Sequence, residues 1–439
     1  MLERQLKKDL ETWRTQKQRK PLLIRGARQV GKSSLIEAFG AEKFTNLLTI
    51  NFELSPAFKK CFQSLHPKEI CDALSLLSGQ PIIPQETLLF LDEIQDCPEA
   101  IQALRYFKEI MPELHVIGAG SLLELTLNQA EYRMPVGRVS FLYLYPLSFK
   151  EFLWAYSPQS LSYIEKATPH ESVPEVVHEH LLQQLKRYLW LGGMPEVLHD
   201  YKENQNLQGM QAIQTSIIET YEKDFGHYSN IADPIHLRHC FRQAPLLIGQ
   251  QIKYNKIDQD SRSRELKRAL FALEDAAILQ RIHATSAQGL PLDATLNEKQ
   301  FKLNFIDVGL VKRFNQLDAA LLLGEDMMLL NQGALAEQFV GQELLAYAPP
   351  YEKAKLYFWT RAGTGLAEVD YIIVHNGRIY PIEVKSGKAG KLRSLQQYQL
   401  EHPDALSVRI SPLPLSFTNG LLSVPLYMIS ELPRLLDLI

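Results

Sequence analysis

Short apolar runs alternate with amphipathic stretches over the first 150 residues of the chain. Leu22-Leu23-Ile24 and residues 47–52, 87–93, 115–121 and 140–144 are brief and largely hydrophobic, as strands buried on both faces are. Between them, residues 1–18, 34–39, a region ending near Ser78, and Pro98 to Ile110 carry helical spacing. In the last of these Pro98 stands in the first turn, and Ile101, Leu104, Phe107 and Ile110 recur at helical intervals. This alternation predicts a parallel sheet with helices on both faces, an arrangement that places ligands at the strand C-termini.

The pattern changes downstream. Residues 150–235 read as helical, interrupted at Pro158 and at Gly192-Gly193-Met194-Pro195. Helices are expected over 236–250 and 263–274, followed by a short strand pair beginning at 277–283, the order of a winged helix-turn-helix. After residue 330 the spacing predicts a helix over 333–345 and a strand over 356–360. A turn at Gly363-Thr364-Gly365 follows, then strands over 368–374 and 379–385 joined by Asn376-Gly377, a strong hairpin signal. The expected class is multidomain α/β: a P-loop NTPase-like sheet over 1–155, a helical region over 156–235, a winged-helix-like domain over 236–300, and a mixed α/β domain over 301–439.

Composition narrows the picture. At 439 residues the chain exceeds one ordinary core, so roughly two to four domains are expected. Its 46% apolar and 22% charged content is that of a globular protein. A net charge of −3 gives no global basic field, although a local one is compatible with it. Cys61, Cys71, Cys97 and Cys240 show no C-x-x-C spacing, so a zinc site or disulfide framework is not indicated and reduced cytosolic thiols are expected. The charged amphipathic N-terminus lacks a signal-peptide core, and no run reaches the roughly 18 apolar residues of a membrane span. A cytoplasmic protein without a membrane partner is expected.

The first chemistry lies at residues 26–33. Gly26, Ala27, Arg28, Gln29, Val30, Gly31, Lys32 and Ser33 form a complete G-x-x-x-x-G-K-S loop between a strand and a helix that opens with Ser34. Its backbone N–H groups would cradle phosphates, Lys32 would reach the β- and γ-phosphates, and Ser33 would ligate Mg²⁺. The apolar strand 87–93 ends in Asp92 and Glu93. Asp92 is placed for the Mg²⁺ shell and Glu93 for the attacking water. Ser121, at the tip of the next strand, is either a phosphate sensor or the N-cap of a following helix. Arg138 either meets a γ-phosphate, on its own or a neighbouring subunit, or makes a surface salt bridge.

Two further constellations concern the rest of the chain. Residues 253–268 hold Lys253, Lys256, Arg262, Arg264, Lys267 and Arg268 against Asp258, Asp260 and Glu265, a local basic excess. On a winged helix this face would enter a DNA groove, or the module would serve only for packing. In the C-terminal part Asp370 lies on one strand, and Glu383 and Lys385 share a face of its hairpin partner. Acid followed by E-x-K is the constellation of PD-(D/E)XK nucleases. There Asp370 and Glu383, with Glu337 from the upstream helix, would hold Mg²⁺, and Lys385 would orient water. Lys388, Lys391 and Arg393 would grip phosphates or form a solvated loop.

Taken in order, these residues resemble a prokaryotic family of AAA-superfamily ATPases with a C-terminal restriction-endonuclease-like domain. The resemblance also rests on Pro146-Leu147-Ser148-Phe149-Lys150-Glu151-Phe152, Leu191-Gly192-Gly193-Met194-Pro195 and the segment around Thr220. It implies ATP rather than GTP, and it strengthens Arg138 as a nucleotide-sensing residue. The lone hydroxyl in Gly118-Ala119-Gly120-Ser121 is poorer than the Ser/Asn cluster of relatives. The leading expectation is an ATP-hydrolysing AAA-type protein with Mg²⁺ as cofactor, whose nucleotide state is coupled to a nuclease-like domain that binds nucleic acid, in a chain able to form homo-oligomers. The alternatives are a nucleotide-dependent switch whose last domain is an inactive protein-interaction module, and an ATP-gated Mg²⁺-dependent nuclease.

Overall fold

A computed structural model describes residues 2–121, 123, 135, 137–171, 173–316, 332–361, 367–387 and 392–439. The turn expected at Gly363-Thr364-Gly365, the residues Lys388 and Lys391, and most of the segment after Ser121 lie outside them. The chain divides into two compact units. The first comprises residues 1–145, 275–277 and 349–353, and the second comprises 146–274, 278–348 and 354–439.

In the first unit the elements run α1 (Leu6–Thr15), β1 (Leu22–Arg25), α2 (Lys32–Lys43), β2 (Asn46–Asn51), α3 (Pro67–Ser78), β3 (Thr87–Asp92), α4 (Pro98–Ile110), β4 (His115–Ala119) and β5 (Ser140–Tyr143). The strands form one wholly parallel sheet in the order β2-β3-β4-β1-β5. Every residue of β3 and β4 is buried, which is why these strands read as unbroken apolar runs rather than as alternation. Leu23, Leu89, Leu91 and Val116 share a core with Ile70, Leu74, Leu104 and Phe107 of α3 and α4. Strand ends lie within a residue or two of expectation, and α1 is shorter than the expected 1–18.

The second unit opens with helices α5 (Phe149–Tyr156), α6 (Pro158–Lys166), α7 (Glu175–Leu191), α8 (Pro195–Asn204), α9 (Leu207–Asp224), α10 (Pro234–Gln243) and α11 (Ser263–Asp275). The helix expected over 236–250 stops at Gln243 and passes into a 3-10 turn at Ala244–Leu246. Pro245 lacks the N–H that would continue the helix. Then come β6 (Leu279–Thr285), β7 (Leu296–Phe305), α12 (Val308–Phe314), α13 (Gln332–Ala346), β8 (Leu356–Thr360), β9 (Glu368–His375), β10 (Arg378–Val384), α14 (Arg393–Glu401), β11 (Ser407–Ser411), β12 (Ser416–Thr418), β13 (Leu421–Pro425) and α15 (Leu432–Asp437).

All eight of these strands belong to one mixed sheet, ordered β12-β13-β11-β10-β9-β8-β6-β7. The β9–β10 hairpin forms as expected, with Asn376 and Gly377 at φ 47° and 74°. The strand pair assigned to a separate winged-helix domain does not stand apart. β6 pairs with β7, but its other edge pairs in parallel with β8, Ile282 opposite Leu356. A boundary at 300/301 would cut β7 in two. Among the described residues no helix is long and apolar enough to cross a membrane.

Two motifs from the resemblance meet inside this unit. Ser148 caps α5 in a capping box with Glu151. The Leu147 N–H donates to the Gly193 carbonyl at 2.7 Å, and the Gly193 N–H donates to the Asp307 carboxylate at 2.6 Å. A Cβ on Gly193 would lie 2.1 Å from the Leu147 carbonyl oxygen, so only glycine permits this approach. The Phe149 N–H donates to Glu343 of α13 at 3.0 Å. Burial pushes the Glu343 carboxyl up to about 8 and that of Asp307 up to about 6. These motifs are a buried polar latch that ties the helical region to the sheet domain.

Candidate functional site

The phosphate-type loop leaves β1 at its C-terminal end and enters α2. Gly26 adopts φ 147°, and a Cβ there would stand 2.1 Å from the Leu144 carbonyl oxygen. Gln29 at φ 63° and Gly31 at φ 89° complete the curl. The first helical bond runs from the Leu35 N–H to the Gly31 carbonyl at 3.0 Å. The N–H groups of Lys32, Ser33 and Ser34 therefore lie outside the helix ladder, at the positive end of its dipole. Val30 and Ala27 anchor the loop in the core, while Ser34 is exposed. Arg28 stands 3.8 Å from Glu53.

Lys32 is only 7% exposed. Its ammonium donates to the carbonyls of Gly26 at 2.9 Å and Ala27 at 2.7 Å, which aims it along the inside of the loop. Burial pushes it down to about 8, against the opposing pull of Glu93 and Asp92. A lysine so placed gains from an anion in the loop, which would restore its charge.

β2 and β3 bring the partners to the same edge. Asp92 ends β3 opposite Asn51 of β2. Its carboxylate accepts from the Ser33 hydroxyl at 3.0 and 3.1 Å, from Asn51 at 3.2 Å and from the Glu93 N–H at 3.1 Å. Burial raises its proton affinity. Glu93 occupies the left-handed region at φ 47°, a strained position for a glutamate. Gln95 holds its Oε2 at 2.7 Å, and the N–H and hydroxyl of Ser121 reach the same oxygen at 3.4 Å. Lys32, Ser33, Asp92, Glu93 and Ser121 are thus brought together, with Asn51 and Gln95 as members that the sequence pattern did not single out. Asn51 was detectable in principle, as the polar end of the strand beside β3.

Arg138 is not part of this cluster. It precedes β5, which starts level with the beginning of β1, whereas the loop leaves the end of β1. Four strand residues, roughly 13 Å, separate those edges. Arg138 instead pairs with Glu109, in the last turn of α4, at 2.8 Å and is half exposed. It cannot meet a phosphate held by its own loop. The salt bridge expected as the alternative is present.

In the second unit Glu337, Asp370, Glu383 and Lys385 also converge, around a residue the sequence pattern did not single out. Lys302 of β7 is 1% exposed and lies 3.2 Å from Glu337 and 3.5 Å from Asp370. It also pairs with Glu368, whose second oxygen accepts from Gln251 at 2.5 Å. The other Asp370 oxygen accepts from the Val384 N–H at 2.8 Å. Lys385 donates to Glu383 Oε1 at 2.6 Å, and Glu383 Oε2 is buried with no partner. Burial alone would lower the Lys302 ammonium, but the surrounding carboxylates outweigh it and hold the group above its ordinary value. Burial and mutual repulsion raise Glu337, Asp370 and Glu383. Of the residues expected to hold a metal ion, Glu337 and Asp370 are paired with the Lys302 ammonium and Glu383 with Lys385. Among the described residues no group of three or more His, Cys, Asp or Glu is set to hold a metal ion.

Comparison with known proteins agrees with the first unit and leaves the second open. Residues 18–153 match the family model described as an AAA domain. Residues 182–321 and 332–425 match two models described only as domains of unknown function, DUF8612 and DUF4143. No curated protein matches the chain. Among solved structures, the Aeropyrum pernix ORC1 protein in complex with DNA is 12% identical, covering 71% of this chain and 90% of its own, at a TM-score of 0.30. The ADP form of the ORC2 protein from the same organism is 13% identical, covering 73% and 93%, also at 0.30. AMPPCP-bound DnaA from Aquifex aeolicus is 13% identical over 62% and 86%, at 0.25. Scores this low carry no argument about function. Residues 18–153 thus match an AAA domain model and fold as a parallel sheet with a phosphate-type loop between its first strand and the following helix.

Proposed function

We propose that the first unit binds and hydrolyses ATP with Mg²⁺. The observation that carries this is the hydrogen bond from Ser33 to Asp92 at the mouth of a loop whose lysine is buried. Hydroxyl and carboxylate together form the donor set that Mg²⁺ takes when phosphates supply its remaining ligands. ATP brings the γ-phosphoryl group that is transferred to water. Lys32 and the free N–H groups of the loop hold the β- and γ-phosphates and neutralise charge that builds up on them. Glu93 orients the attacking water, and Gln95 and Ser121 hold Glu93 in its left-handed conformation. Replacing Lys32 with alanine should abolish turnover. Turnover at the wild-type rate in Lys32→Ala would refute the assignment.

The nucleotide state of the first unit is coupled, on this proposal, to partner binding by the second, and the expected partner is nucleic acid. Support comes from α11 and its approach, where Lys253, Lys256, Arg262, Arg264 and Arg268 are exposed. ATPase rates measured with single-stranded DNA, double-stranded DNA and no nucleic acid test this. Stimulation lost in Arg264→Glu/Arg268→Glu supports it, whereas a rate indifferent to all nucleic acids favours a switch that binds protein. A role for Arg138 on the nucleotide of a neighbouring copy belongs to the same proposal, and an ATPase rate per chain that is independent of protein concentration would oppose it.

A further inference from the structure

We infer that Lys302 is a built-in cation, standing where a divalent metal would sit among Glu337, Glu368 and Asp370, so that the second unit holds no metal there and does not cut phosphodiesters. The inference builds on the nuclease-like reading of the β9–β10 hairpin and not on hydrolysis at the phosphate loop.

The geometry leaves a metal little to bind. A hard divalent ion such as Mg²⁺ requires oxygens at about 2.1 Å in a near-octahedral shell. The Lys302 ammonium already contacts one oxygen each of Glu337, Glu368 and Asp370. The remaining Glu368 and Asp370 oxygens are taken by Gln251 and by the Val384 N–H. Glu383 gives one oxygen to Lys385 and its buried Oε2 lacks a donor, while Lys302 holds only the Oε2 of Glu337. A metal at bonding distance from these carboxylates would sit against the ammonium, with like charges in contact in a low-dielectric interior.

Nor can the ammonium swing aside. Lys302 is a mid-strand residue of β7, 1% exposed, with its head 5.4 Å from the centre of the Phe358 ring and with α13 supplying Glu337. Lys385 differs: its side chain is 28% exposed, and its ammonium pairs with Glu383. One lysine is therefore the kind a nuclease strand displays beside its metal, and the other replaces the metal. An ammonium neutralises carboxylates and fixes their positions, but it cannot lower the pKa of a bound water or bridge to a phosphoryl oxygen as a Lewis acid. The domain keeps the shape of the site and loses the chemistry.

The test is Mn²⁺ titration by calorimetry into the full chain without nucleotide, for wild type, Asp370→Asn, Lys302→Met and the double variant, with thermal melts alongside. Wild type and Asp370→Asn are expected to titrate alike. Lys302→Met is expected to gain a one-to-one site, with Mn²⁺ raising its Tm by roughly 5 °C, and the double variant to lose that site. A wild-type Mn²⁺ site removed by Asp370→Asn would overturn the inference, as would a folded Lys302→Met that takes up no Mn²⁺. If Lys302→Met does not fold, the comparison of wild type with Asp370→Asn decides alone. ATP turnover on the same preparations reports on the phosphate loop, so failure there is distinguishable from failure here.

Discussion

Two carboxylate sites in this chain look alike on paper and differ in what surrounds them. Asp92 takes its hydrogen bonds from a hydroxyl, an amide and a backbone N–H. Asp370 accepts one from a backbone N–H and is ion-paired with a buried ammonium. Neutral donors position a carboxylate and leave its charge for an incoming cation, whereas an ammonium answers that charge from within. The lysines report the same contrast. Burial pushes Lys32 down to about 8, while three carboxylates hold Lys302 above the usual lysine value although it too is buried. The first lysine gains by meeting an anion, and the second has already met its own.

The largest effect that could break this comparison is catalytic. Glu93→Gln should lower ATP turnover by about 100-fold or more while nucleotide binding persists, measured by steady-state phosphate release and by equilibrium binding of a fluorescent ATP analogue. A loss of binding in step with turnover would place Glu93 in the cradle instead of the chemistry. Next comes stability. Lys302→Met leaves buried carboxylates without their counter-charge and should cost about 3–5 kcal/mol in denaturant unfolding of the second unit. A cost under about 1 kcal/mol would mean that those carboxylates are already protonated and that Lys302 is not their counter-ion.

The pH dependence of nucleotide affinity should be smaller. The folded pKa of Lys32, about 8, lies below that of an unfolded lysine. Between the two values the unfolded chain holds the extra proton, so this group makes folding more favourable as pH rises through that window. Phosphate binding pulls the other way, because it requires the charged lysine. Affinity for the ATP analogue should therefore fall above about pH 8, by up to about tenfold per unit, and this fall should vanish in Lys32→Met. The smallest effect is expected of Ser121→Ala. Its contacts to Glu93 are long at 3.4 Å, so turnover should change by no more than about threefold. A larger loss would mark Ser121 as a direct phosphate sensor.

Some of this was legible in the sequence and some was not, for reasons that lie in particular residues. The loop at 26–33 declares itself because strand, turn and helix are local, and Asp92 because a doubly buried strand ends in acids. Lys302 stayed hidden because Phe301-Lys302-Leu303-Asn304-Phe305 alternates like a strand with one wet face. In the fold α13 covers that face, with Glu337 on Lys302 and Gln338 on the Phe305 backbone. The β6–β7 pair looked like a separate module because its partner β8 is remote in sequence, and no local pattern announces a parallel pairing. Arg138 could be placed at the wrong edge of the sheet until the register of β5 on β1 fixed the direction. The glycines of Leu191 to Pro195 marked a latch, which a motif alone cannot distinguish from a site.

The central claim is that the chain holds one divalent cation, at the phosphate loop, and none at the second carboxylate cluster. Counting Mn²⁺ bound per chain in the presence of a non-hydrolysable ATP analogue tests it most directly. The account predicts one ion, lost in Asp92→Asn and indifferent to Asp370→Asn. Two ions, or a single ion that survives Asp92→Asn and disappears in Asp370→Asn, would contradict it.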